Sequence, residues 1–167
     1  MTDVILGKPS RTPWNRNDKR GLAISAVAPF IAALVVNGVI YAARWNAYPA
    51  FDAIRLDPPG WLMSAAWLVI FPLWGAARWY AYQTGLSGRR ASYWIVALMV
   101  WSLLYPFLVA GANPGVSAGA TLIAFGLALA AAAQARRVSK RAAWLIAPSL
   151  LWIGFAAILS FAALDTA

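Results

Sequence analysis

The sequence contains no cysteine, no histidine and no glutamate. Without a thiol there is no disulfide, no thiolate nucleophile and no thiolate metal site, and nothing marks a redox compartment. Without histidine, the usual proton shuttle near neutrality is gone, and a haem iron is denied two of its three common kinds of axial ligand. The acids are five aspartates, Asp3, Asp18, Asp52, Asp57 and Asp165, all outside the apolar runs. No carboxylate therefore stands at mid-bilayer depth, where proton-coupled pumps and carriers usually keep one. Acid–base chemistry would fall to Tyr, Lys or a peripheral Asp. Nothing is arranged for catalysis, so the expectation is a protein that is not an enzyme, with no metal and no covalent cofactor.

What the chain has in excess is apolar surface. Of its 167 residues 62% are hydrophobic and only 11% charged, more than a soluble domain of this size can hide, so lipid must cover part of it. Five apolar segments, near 22–43, 60–80, 91–111, 115–135 and 142–163, each approach the ~20 residues needed to span a bilayer. Lipid-facing backbone must satisfy itself and no alternating barrel pattern is present, so the spans are helices. The predicted fold is an all-α integral membrane bundle of five helices. Residues 1–21 form a basic tail that lacks the short apolar core and cleavage site of a signal peptide, and 164–167 form a short C-terminal tail.

The net charge of +9 follows topology. Lys8, Arg11, Arg16, Lys19 and Arg20 precede span one; Arg89 and Arg90 lie between spans two and three; Arg136, Arg137, Lys140 and Arg141 lie between four and five. The opposite side carries Arg44 and Arg55. The positive-inside rule then puts the N-terminus in the cytoplasm and the C-terminus across the membrane, most simply the bacterial inner membrane. Cations that flank apolar runs do not form the separate patch a nucleic-acid binder needs. Lipid headgroups or a protein partner are the candidate contacts of the basic tail. Span four is rich in Ala and Gly, and Gly115, Gly119 and Gly126 are expected to mark a close helix seam, within the bundle or between two chains.

Ten tryptophans remain to be explained. Indole favours the two ends of a span, which suits Trp45, Trp79, Trp94 and Trp144. Trp67, Trp101 and Trp152 fall well inside their spans, where an indole N–H wants a partner. Trp67, Phe71 and Trp74 share one stripe at helical spacing, Trp101 and Tyr105 another, and Trp144, Trp152, Ala156 and Leu159 a third. Rings converging from three helices would wall a slot for a large planar or polycyclic molecule.

These residues resemble a known family. "PPGWLMSAAW" carries Pro58, Pro59, Trp61 and Trp67 at the spacing that opens the second helix of the tryptophan-rich sensory protein, or translocator (peripheral benzodiazepine receptor), family TspO/MBR. "APSLLWIGFAAILS" is similar to that family's fifth-helix pattern through Pro148, Trp152, Ala156 and Leu159, and "VWSLLYPF" to its third-helix pattern through Trp101, Ser102 and Tyr105. The chain departs from the family at Ser149 and Ser160, where Tyr and Asn are usual, at Leu98 in place of Asn and at Phe71 in place of Tyr. The first-loop Lys-Pro-x-Trp is not recognisable. The resemblance implies a TspO-like five-helix bundle, often a homodimer, that binds tetrapyrroles, sterols or other polycycles for transport, sensing or regulation. It implies a pocket walled by Trp61, Met63, Trp67, Phe71, Trp101, Tyr105, Trp152 and Ala156, with Trp45, Tyr48 and Phe51 of the first loop as a lid. The missing polar residues imply a more apolar pocket than usual, suited to a non-covalently held porphyrin or carotenoid. The alternative is an accessory subunit of a larger photosynthetic or respiratory membrane complex that keeps the fold.

Overall fold

The computed structural model describes residues 18–44 and 58–164. They form five helices: α1 (Lys19–Ala42), α2 (Gly60–Tyr82), α3 (Leu86–Val109), α4 (Pro114–Val138) and α5 (Lys140–Leu164). All five are long and apolar enough to cross a membrane.

Local chemistry sets the ends. Asp18 caps α1, its carboxylate accepting the Arg20 N–H at 3.0 Å. Asn113 caps α4 by accepting the Val116 N–H at 3.0 Å, with Pro114 in the first turn, where its missing N–H costs nothing. The Ser139 hydroxyl accepts the Ala142 N–H at 3.3 Å and starts α5. Pro59 stands in extended geometry at the N-cap of α2, a conformation that its ring favours. Gly85, with φ at +82°, turns the chain from α2 to α3 within three residues.

The helices extend further than the apolar runs alone suggest. α3 begins at Leu86, so Arg89 and Arg90 are helical, and α4 continues through Arg137, leaving Ser139 as the whole link to α5. A helix of 24 residues, such as α3, is about 36 Å long, more than the ~30 Å hydrocarbon core. Its charged end can thus remain helical while standing among the headgroups. The antiparallel succession gathers Lys19, Arg20, Arg89, Arg90, Arg136, Arg137, Lys140 and Arg141 at one end of the bundle.

In packing order, α2, α3, α4 and α5 form a ring closed by α5 against α2, while α1 lies outside it, chiefly against α2. Apolar burial does not drive helices together inside lipid; close packing and interhelical hydrogen bonds do. The closest approach is at Gly75, where an added Cβ would overlap the Ser25 backbone of α1. The seam of α4 is made by Ala120, Ala124, Ala128, Ala131 and Ala135, all buried and spaced by three or four residues. Gly119 and Gly126 face outward, where an added Cβ would meet nothing within 4 Å. The glycine seam expected within the bundle is therefore an alanine seam. Gly119 stands about 100° around the helix from Ala120, which turns it away from α3 and α5.

Candidate functional site

A small cavity of about 20 Å³, room for about one water molecule, lies inside the ring, and all four ring helices line it. Met63 and Trp67 come from α2, Ser102 and Tyr105 from α3, Thr121 and Ala124 from α4, and Trp152, Ile153 and Ala156 from α5. Met63/Trp67, Ser102/Tyr105, Thr121/Ala124, Trp152/Ala156 and Ile153/Ala156 are three or four residues apart, the interval that keeps two side chains on one helix face.

The sequence-derived pocket divides. Met63, Trp67, Tyr105, Trp152 and Ala156 are brought together at the cavity. Trp61 is not; it is 72% exposed, because two residues before Met63 is about 200° around the helix. Phe71 stands behind Trp67, buried edge-on against Trp74 with ring centroids 5.1 Å apart. Trp101 reaches sideways instead, its indole N–H donating to the Ala120 carbonyl at 3.1 Å, and so clamps α3 to α4. Trp45, Tyr48 and Phe51 lie outside the described residues. The interfacial assignment is corrected at Trp79, which is only 6% exposed, while Trp61 and Trp144 (77% exposed) occupy outward positions near helix ends.

Trp67 and Ser102 also face a second hollow, of about 20 Å³, which α1 closes with Ala33, Val36, Asn37 and Ile40. One wall thus separates two adjoining spaces. Against it Trp67 packs on Phe71 at 6.0 Å and on Trp74 at 6.1 Å, a run of tilted and edge-on rings that holds the Trp67 plane.

Hydrogen bonding sorts the polar atoms into spent and unspent. The Tyr105 hydroxyl lies 2.8 Å from Thr121 Oγ1, which itself donates to the Ser117 carbonyl at 2.8 Å. The single Thr121 hydrogen being committed there, Tyr105 is the donor to Thr121. Ser160 donates to the Ala156 carbonyl at 2.8 Å and lies 3.3 Å from Thr121. Across the bundle, the Trp74 indole N–H donates to Ser149 Oγ at 2.9 Å. Of the two serines that stand where larger polar residues were expected by resemblance, Ser149 thus joins α5 to α2, while Ser160 spends its hydrogen on its own helix and only touches Thr121. Two groups at the cavity remain unused: the Trp152 indole N–H and the Ser102 hydroxyl are inaccessible to solvent and without a partner among the described residues. An unsatisfied buried group costs about 1–3 kcal/mol, so each favours a ligand acceptor that can reach it.

Sequence reasoning missed Ser102, Thr121, Ala124 and Ile153 as wall residues. The Thr121 hydroxyl, set in a run of Ala and Gly, was the available signal. Ile153 had none, since it is one more aliphatic residue in an apolar span. No group of His, Cys, Asp or Glu among the described residues could hold a metal ion. The site is therefore built for apolar contact, aromatic packing and two hydrogen bonds.

Comparison with protein families returns a match of the TspO/MBR family over residues 24–164. A search of curated proteins returned no match.

Proposed function

Since the chain belongs to the TspO/MBR family and is an integral membrane protein of five apolar helices, we propose that it is a non-enzymatic receptor or carrier for a hydrophobic polycyclic ligand. The ligand is of the tetrapyrrole, carotenoid or sterol kind and carries at least one hydrogen-bond acceptor. The observation behind this reading is the pair of unused donors, Trp152 N–H and Ser102 O–H, beside a cavity walled by Trp67 and Tyr105. Binding sites for small molecules combine mostly apolar walls with a few placed polar groups in this way.

At about 20 Å³ the closed cavity lies far below the roughly 300–1,000 Å³ usual for such sites, so a polycycle enters only as the helices part. The N-terminus is assigned to the cytoplasm on charge, in a bacterial inner membrane.

Titration of the purified protein with protoporphyrin tests the reading. We expect saturable quenching of tryptophan fluorescence, weakened about tenfold or more in Trp67→Ala through loss of aromatic contact. Absence of quenching, or quenching of equal strength in Trp67→Ala, contradicts it.

A further inference from the structure

The basic end of the bundle holds a second site of different chemistry. An open cleft of about 460 Å³ lies between the last turn of α2 and the α4–α5 link. Trp79, Gln83 and Thr84 line it from one side, and Ser139, Lys140 and Arg141 from the other. Trp79 is 94% buried (6% exposed), yet its indole N–H has no partner among the described residues. Both ends of the Gln83 amide are likewise inaccessible and unpartnered. Ser139 Oγ already accepts the Ala142 N–H, which leaves its own hydrogen to donate.

The cleft thus offers two cations and several N–H and O–H donors. No carboxylate competes for them nearby: Asp18 is the only acid among the described residues, and it caps α1. Lys140 and Arg141 also begin α5, so the positive end of the helix dipole adds to their field. A group with several acceptor oxygens and negative charge matches this set, as a phosphate does.

A neighbouring groove points to where the rest of such a molecule would lie. Arg136, Lys140, Ala143, Trp144 and Ala147 line it, so Lys140 belongs to both spaces. The groove follows one face of α5 from the charged end toward the apolar interior, with the exposed Trp144 ring beside it. Basic pockets between transmembrane helices are sites for anionic lipid headgroups.

We infer that the cleft between Trp79, Gln83, Lys140 and Arg141 binds a phosphate group, carried by an anionic phospholipid whose chain follows the α5 groove or by a free phosphate compound. The site stands apart from the ring cavity and does not depend on the ligand proposed there.

The test uses the full chain in non-ionic detergent micelles, titrated separately with phosphatidylglycerol, phosphatidylcholine and inorganic phosphate. Binding is followed by tryptophan fluorescence, with Trp79→Phe identifying the responding ring, and by native mass spectrometry. We expect saturable binding of one phosphatidylglycerol per chain, weakened about 30-fold in Lys140→Gln/Arg141→Gln, or roughly fivefold per cation. The control pair Lys19→Gln/Arg20→Gln removes the same charge elsewhere and should change affinity less than about threefold, well under 1 kcal/mol per cation. Binding of inorganic phosphate as well assigns the site to the phosphate group alone; binding of the lipid only assigns part of it to the α5 groove. Equal binding of phosphatidylcholine, equal weakening by the control pair, or no saturable binding of either phosphate probe overturns the proposal. Circular dichroism verifies that each variant is folded, and unchanged protoporphyrin affinity in Lys140→Gln/Arg141→Gln keeps the two sites distinct.

Discussion

At the scale of single residues, two kinds of buried polar atom do different work. Ser149 accepts the Trp74 indole N–H and holds α5 to α2; Ser102 touches the cavity and bonds to nothing among the described residues. Ser149→Ala should therefore lower stability by about 0.6 kcal/mol, the average for interhelical hydrogen bonds in membranes, and by no more than about 1.7 kcal/mol. Ser102→Ala should leave stability unchanged or slightly raised, since it removes an unsatisfied group. Unfolding in mixed micelles by increasing sodium dodecyl sulfate compares them, and an equal loss for the two would contradict the distinction. The sequence made this division only partly legible. The family-like positions of Trp67, Trp152 and Ala156 placed them on the cavity faces of α2 and α5. Which way the Trp101 ring turns depends on the Ala120 carbonyl of another helix, a contact that no spacing within α3 encodes.

At the scale of elements, the bundle depends on where a side chain is missing. Gly75 lets α1 and α2 touch backbone to backbone, because an added Cβ would overlap the Ser25 carbonyl. Gly75→Val should destabilise the packing of α1 on α2 by at least ~1–3 kcal/mol, the usual cost of overpacking. Gly126→Ala on the outer face of α4 should leave the fold intact. Detergent-dependent unfolding separates them, and a tolerated Gly75→Val would place the contact elsewhere. The glycines of span four drew the sequence reading because small residues favour close packing. The direction in which each faces is set by α3 and α5, which bury Ala120, Ala124 and Ala128 instead. The number of helices was readable because apolar run length is a local property. Their ends were less so, since Arg89 and Arg137 remain helical beyond the apolar stretch.

At the scale of the whole molecule, charge segregation and the ring of helices give one consistent picture. Cations gather at the end that holds the α2–α3 and α4–α5 links, and the natural absence of cysteine makes topology simple to map. Ser87→Cys should react with a membrane-impermeant maleimide only after cells are opened, and Ala112→Cys in intact cells; the reverse pattern would invert the assigned orientation. Four of the five helices enclose the apolar cavity, and the bundle leaves a broad apolar exterior, including Ile24, Val69, Leu151 and Ile158, for lipid to cover. The central claim is that a ligand enters the ring and meets the unused Trp152 N–H. Indole nitrogen-15 NMR of the labelled protein, with Trp152 identified through Trp152→Phe, tests it most directly. Saturating protoporphyrin should move the Trp152 N–H resonance downfield as it gains an acceptor, while Trp74, already bonded to Ser149, shifts much less. A Trp152 resonance that stays in place at saturation would contradict the account.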